Sequence, residues 1–223
     1  MQSCLVVFTK PATPGRVKTR LAGDLSPEEA AELHAALLAD LLDEVRAAGV
    51  DCWLAWALED GERLPPSSLP AIRQEGAALG ERLYLALTRA AASHARVAAV
   101  GSDHPGLASG SLQHAFAALG EADLAIVPAL DGGYALIAAR AAALDPALFS
   151  NIPWSTSEVL AETLARAARL GRRVAILEAA ADLDTPADLE RLCERLAEGA
   201  PAAGPRVRRL LGNWGRIPDS VAP

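Results

Sequence analysis

Short apolar runs alternate with amphipathic stretches of helical period along this chain, and that alternation constrains its fold more than any other feature. Residues 5–8, 52–58, 96–100, 124–127, 134–137 and 174–177 are rich in Val, Leu, Ile and Ala and read as strands. Between the first two, Ser26-Pro27-Glu28-Glu29 is a capping box with proline at the first helical position. Behind it Ala30, Leu33, Leu37, Leu38, Leu41 and Val45 keep helical spacing until Gly49. Helices are also expected over 80–93 and 109–119, and from the capping-box spacing of Ser155 to Glu158 as far as Gly171. A final helix opens at Thr185-Pro186, with Asp188 three residues past the cap. Strands alternating with helices predict a parallel-rich α/β sheet covered on both faces.

The 223 residues suit one domain, read here as 1–198, with Pro, Gly and Arg breaking any pattern in a tail over 199–223. No apolar run approaches the ~20 residues that cross a bilayer. The first cations follow the apolar N-terminal run instead of preceding it, the reverse of a secretory signal. These features predict a cytoplasmic protein without a membrane partner. Cys4, Cys52 and Cys193 form no C-x-x-C pair and are read as reduced; with four scattered histidines they argue against zinc. A net charge of −7 argues against nucleic acid, which wants a broad basic face.

Against that acidic background the first twenty residues hold four cations, Lys10, Arg16, Lys18 and Arg20, and no carboxylate. They lie in a loop that Pro11, Pro14 and Gly15 keep from being helical, directly after the first strand. Backbone amides and cationic heads converging at the carboxyl end of a strand suit phosphate. An ordinary solvated charge run is the alternative, although such runs are usually mixed in sign.

Asp103 ends the strand at 96–100 within Gly101-Ser-Asp-His-Pro-Gly106. A carboxylate there can hold Mg²⁺, which takes few protein oxygens and fills its octahedron with water and phosphate; the alternative is an Asx-type turn. Asp131-Gly132-Gly133-Tyr134 joins two strands, as a hairpin turn, a place for close substrate approach, or both. With Thr185 as cap and Asp188 supporting it, Asp182 and Asp184 have no structural task, and Asp184 is the favoured second metal carboxylate. Trp154 is read as core packing or as the wall of an acceptor pocket. His34, His94 and His114 have no partner suggested by spacing, and His104 reads as a solvent-facing turn residue. No nucleophile elbow, Walker loop or dinucleotide fingerprint is present.

The run from Phe8 to Leu21, FTKPATPGRVKTRL, resembles the opening signature of a bacterial family of nucleotide-diphospho-sugar transferase-like proteins long catalogued as a domain of unknown function. Some members of that family are named as arsenosugar-biosynthesis glycosyltransferases. Gln74-x-Gly76 with Leu79-Gly-Glu-Arg82, Gly101-x-Asp103-x-Pro105, Asp131-Gly-Gly-Tyr134, Ile152-Pro-Trp154-Ser-Thr156 and Asp182-x-Asp184-Thr-Pro186 are similar to its later blocks, in the same order. His104 departs from the pattern, standing where similar sequences often carry a smaller residue.

The resemblance implies a GT-A-like fold: a Rossmann-like three-layer α/β/α sandwich with a mostly parallel mixed sheet. It implies Lys18 and Arg20 on phosphates, Asp103 on Mg²⁺ or Mn²⁺, and Asp184 completing the metal site. Gln74, Gly76, Arg82, Gly101, Gly132, Gly133, Tyr134 and Trp154 join Lys10, Pro14, Gly15 and Arg16 as expected nucleotide or substrate contacts. Asp103, Lys18 and Asp131 are the expected catalytic residues, Asp131 as a guess at the general base.

Two chemistries suit this set: glycosyl transfer from a nucleotide sugar to a small acceptor, or nucleotidyl transfer with release of pyrophosphate. Four cations favour a triphosphate and so the second; the resemblance favours the first. A non-catalytic nucleotide-binding module is a third reading. The Arg-bearing tail is compatible with a homo-oligomer.

Overall fold

The computed structural model describes residues 3–218 and contains a seven-stranded sheet in the order β3-β2-β1-β4-β6-β5-β7. The strands are β1 (Ser3–Thr9), β2 (Asp51–Trp56), β3 (Ala71–Arg73), β4 (Arg96–Gly101), β5 (Leu124–Pro128), β6 (Tyr134–Arg140) and β7 (Val174–Ile176). The helices are α1 (Pro27–Ala48), α2 (Leu79–Ala91), α3 (Ser109–Ala118), α4 (Val159–Arg169), α5 (Pro186–Ala197) and α6 (Pro205–Asn213). Among the described strands only β6 runs antiparallel, between β4 and β5. None of the described helices is long and apolar enough to cross a membrane.

β1 shows why the sheet needs cover on both sides. Leu5 and Val7 join the core under α1 and α3, while Cys4 and Val6 join the core under α2 and α4. Successive strand side chains point to opposite faces, so a run apolar at every position cannot leave either face in water. A third core, centred on Leu33, Leu37, Leu189 and Leu196, binds α1 to α5 and α6.

The chain winds outward from β1 to β2 and β3, then returns to lay β4 on the other flank of β1, with Phe8 opposite Gly101. The crevice beyond the carboxyl ends of β1 and β4 is thus the topological switch point, where open α/β sheets bind ligands. The basic loop and the Asp103 loop open into that crevice.

Three segments differ from the sequence reading. Residues 71–73 form β3, paired parallel to β2, in a stretch outside the expected strands. α4 starts at Val159 without the expected Ser155 cap. Ser155 instead adopts φ +65°, and Thr156 Oγ1 donates to the Pro153 carbonyl at 2.7 Å. The helix is placed by docking on the β5–β6 hairpin, the Leu160 amide donating to the Gly132 carbonyl at 2.9 Å.

Residues after Gly199 are not patternless: α6 packs on α1 and buries Val207 and Leu211. Its cap comes from a distant residue. The Arg206 and Val207 amides donate to the buried carboxylate of Asp40, at 3.1 and 2.9 Å. Residues 219–223 of the expected tail lie outside the described residues.

Candidate active site

The basic loop is pinned by its apolar residues. Val17 and Leu21 are buried, and between them Lys18 takes a left-handed conformation, φ 49° and ψ 33°. A non-glycine residue pays about 1–2 kcal/mol for that backbone, strain typical of functional sites. Its effect is to turn the Lys18 side chain inward, leaving it 2 % exposed. A buried ammonium requires partners. Its Nζ donates to the Leu183 carbonyl at 2.7 Å and to Asp184 Oδ1 at 3.0 Å, and it also contacts Asp103 Oδ1. Arg20 stands outside this cluster, 3.7 Å from Asp184 and largely exposed.

The two aspartates come from loops held together by backbone, since the Leu183 amide donates to the Asp103 carbonyl at 3.0 Å. Burial works against ionisation of Asp103, but the Lys18 charge and hydrogen bond outweigh it and hold the carboxyl below its ordinary range. Among the described residues no group of three or more His, Cys, Asp and Glu is arranged to hold a metal. The Asp103–Asp184 pair nevertheless fits a hard divalent cation. Its donors are carboxylate oxygens only, and both now meet at the Lys18 ammonium; a hard divalent cation beside them would fill its remaining positions with water and phosphate.

Two cavities meet at this pair. One, of about 510 Å³, carries the cations Lys10, Lys18, Arg20 and Arg82, with Asp103 and Asp184 as its only acids. The other, of about 290 Å³, is lined by Asp131 and Asp182 besides the same two aspartates, with Trp154 and Tyr134 as walls and no Lys or Arg. The Tyr134 and Trp154 rings meet edge to face at 6.2 Å. Burial raises the Tyr134 hydroxyl well above its ordinary value, so it stays a neutral donor. Gly101 and the strained Ser155 line both cavities.

Several expected contacts lie elsewhere. The Arg16 guanidinium turns away to Glu59 and Glu62, at 2.8 and 2.5 Å, and with Pro14 and Gly15 it lines neither cavity. Loop residues of one charge need not share one direction, and two carboxylates on the β2–β3 connection claim this one. Gly132 is required by packing: φ is +90°, and a Cβ would stand 2.3 Å from the Ser157 carbonyl oxygen. Gly76, φ +122°, is likewise pressed against Glu81, although its carbonyl holds Arg82 Nε at 2.9 Å. Gln74 lines the basic cavity and its Nε2 donates to the Ala55 carbonyl at 2.9 Å. Gly133 lines the acidic cavity, its amide donating to Asp131 Oδ1 at 2.9 Å.

Histidines supply what the sequence reading missed. His34 sits on the apolar stripe of α1 between Leu33 and Leu37, and its Nε2 lies 3.3 Å from Thr9 Oγ1 and 3.1 Å from the Lys10 carbonyl. Ser102 Oγ donates to Thr9 Oγ1 at 3.2 Å, completing a buried polar chain on the floor of the basic cavity. Burial lowers the affinity of His34 for a proton. Its place on a buried stripe was the one available signal. His104 is not solvent-facing: its side chain is 9 % exposed and its Nδ1 lies 3.3 Å from Asp182 Oδ1.

Sheet order, the lone antiparallel strand and a ligand crevice at the switch point define a GT-A-type, Rossmann-like α/β/α sandwich, the architecture of nucleotide-handling transferases. Residues 38–156 match the family model described as "Uncharacterized protein conserved in bacteria (DUF2064)", and the chain belongs to that family. A candidate nucleotide-diphospho-sugar transferase from Desulfovibrio desulfuricans G20 superposes with a TM-score of 0.88 at 30 % identity, over 97 % of each chain. CMP:2-keto-3-deoxy-manno-octonic acid synthetase, in complex with CTP, gives a TM-score of 0.54 at 14 % identity, over 89 % of this chain and all of that one. 4-Diphosphocytidyl-2C-methyl-D-erythritol synthase from Anaerococcus prevotii DSM 20548 gives 0.53 at 11 % identity, over 84 % and 94 %. These last two share the fold. No curated protein matches the chain at a significant level.

Proposed function

We propose that this chain is a divalent-cation-dependent transferase that moves a glycosyl group from a nucleotide sugar to a small acceptor. One observation carries the reading: Asp103 and Asp184 stand on the border between a cation-lined cavity and an acidic, aromatic-walled one. A nucleoside diphosphate belongs on the cationic side, against Lys10, Lys18, Arg20 and Arg82. The sugar and its acceptor belong on the other, where carboxylates and aromatic faces suit hydroxylated rings. A Mg²⁺ or Mn²⁺ ion on Asp103 and Asp184 would neutralise the diphosphate as negative charge develops on it. The likeness to a candidate nucleotide-diphospho-sugar transferase supports the same placement.

In this reading the acceptor oxygen bonds to the anomeric carbon while the bond from that carbon to the diphosphate breaks, the diphosphate leaving with the electron pair. Lys18, already inside the cluster, and Arg20, exposed beside Asp184, stabilise the departing charge. The acceptor's proton passes to Asp131, the carboxylate at the hairpin that lines the acceptor side. Catalysis then rests on positioning and preorganised charge.

Nucleotidyl transfer is the second reading, favoured by the four cations of the larger cavity and by the fold shared with two cytidylyl-type synthases. Two observations weigh against it. Arg16 is committed to Glu59 and Glu62, and the acidic cavity has no Lys or Arg to receive a phosphorylated nucleophile. A module that only binds nucleotide is the third reading; the paired carboxylates would then serve only to hold the buried Lys18.

The deciding experiment incubates the protein with nucleotide sugars and nucleoside triphosphates, with Mg²⁺, with Mn²⁺ and with chelator, and identifies products by mass. Metal-dependent release of a nucleoside diphosphate from a nucleotide sugar is expected. Pyrophosphate release from a triphosphate would replace this reading with the second, and nucleotide binding without any product would replace it with the third.

A further inference from the structure

The acidic cavity says what kind of acceptor it takes. Beyond the border pair it holds Asp131 and Asp182, and no Lys or Arg reaches it. Asp182 is mostly buried, and its Oδ1 has no hydrogen bond. The group nearest that oxygen is His104 Nδ1, itself buried and without a hydrogen bond at 3.3 Å. The two atoms are closed off from solvent and face each other, while both side chains contribute to the cavity wall. Trp154 adds an aromatic wall, which attracts cations as well as sugar rings.

Resting on the proposed transferase reading, we infer that the acceptor is a hydroxylated molecule bearing an amine, and that Asp182 and Asp131 select it over neutral and phosphorylated analogues. A phosphate in this cavity would meet carboxylates and no Lys or Arg, the arrangement that rejects a wrong ligand by repulsion. An ammonium meets two carboxylates and an indole. Division of labour follows: anion recognition is confined to the β1 side of the cleft and cation recognition to the β6 side.

The probes are three sugars of one size, glucosamine, glucose and glucose 6-phosphate, titrated onto the full chain at millimolar concentration by ligand-observed NMR. Manganese pyrophosphate binding is measured on the same preparation. Glucosamine should bind tightest and glucose 6-phosphate weakest, each charge step changing affinity by roughly tenfold for partly screened groups. Asp182→Asn and Asp131→Asn should each shrink the gap between glucosamine and glucose, with thermal melts showing that both variants fold. Equal or tighter binding of glucose 6-phosphate would overturn the inference, as would an order unchanged in both variants or no binding by any of the three sugars. Failure of the wild-type protein to bind manganese pyrophosphate would instead count against the transferase reading itself.

Discussion

The two halves of the cleft share Asp103, Asp184, Gly101 and one edge of the sheet, yet carry opposite charge. On the β1 side four cations gather from the basic loop and α2 in a protein whose net charge is −7. On the β6 side the same edge presents carboxylates and aromatic rings. The difference follows from topology. β1 and β4 lie at the switch point, and the antiparallel β6 brings the hairpin and Trp154 against the other flank of β4. Net charge describes the whole surface; a site's charge depends on which loops the strand order makes neighbours.

Asp103→Asn strikes the border and should therefore affect both halves at once. Turnover is expected to fall by about 10³-fold, the scale seen when one preorganised electrostatic group is lost. Manganese-dependent pyrophosphate binding should fall with it, while circular dichroism stays native. A loss under tenfold would break the link between the halves. Gly132→Ala acts on the acidic side alone, by forcing a Cβ against the Ser157 carbonyl at a left-handed backbone. A stability loss of about 2–4 kcal/mol in urea unfolding is expected.

Lys18→Met acts on the basic side. Pyrophosphate affinity should drop by roughly 10- to 100-fold, the worth of a charge-assisted hydrogen bond, while sugar binding in the other cavity changes little. Equal losses on both sides would show that the halves do not divide the work. The smallest effect belongs to His34. Its proton affinity is lowered in the folded state, so the unfolded chain binds the proton first as pH falls below about 6.5. Stability present above that pH is lost on acidification, and His34→Gln should flatten that slope in melts between about pH 7 and 5.

How much of this was legible in the sequence depended on distance along the chain. The Ser26 capping box formed as read, because cap and partner lie three residues apart; the Ser26 amide donates to Glu29 Oε2 at 2.7 Å. The same spacing at Ser155 failed, since docking against Gly132 overrode the local preference. Strands apolar at every position announced a sheet buried on both faces, and the Asp131-Gly132 turn offered the β5–β6 hairpin, but nothing local gives strand order, so β3 and the place of β6 beside β4 were invisible. Lys18, Asp103 and Asp184 meet although up to 166 residues separate them; charge type at strand ends pointed to one shared crevice, but not to a direct pairing of the lysine with both carboxylates. Arg16 carried the same local signal and went to Glu62 instead. His34 and His104 were passed over because a buried histidine reveals itself only through its tertiary partners.

α6 borrows its cap from α1, and this gives the C-terminal stretch a reach beyond its own contacts. Asp40 serves two backbone amides and the Arg206 guanidinium, all from the last fifth of the chain. A chain ending before Gly204 would keep all seven strands but leave Asp40 an unanswered anion under a stripped hydrophobic face, less than two helical turns from His34. Shortening the protein from behind should therefore loosen the floor under its front entrance.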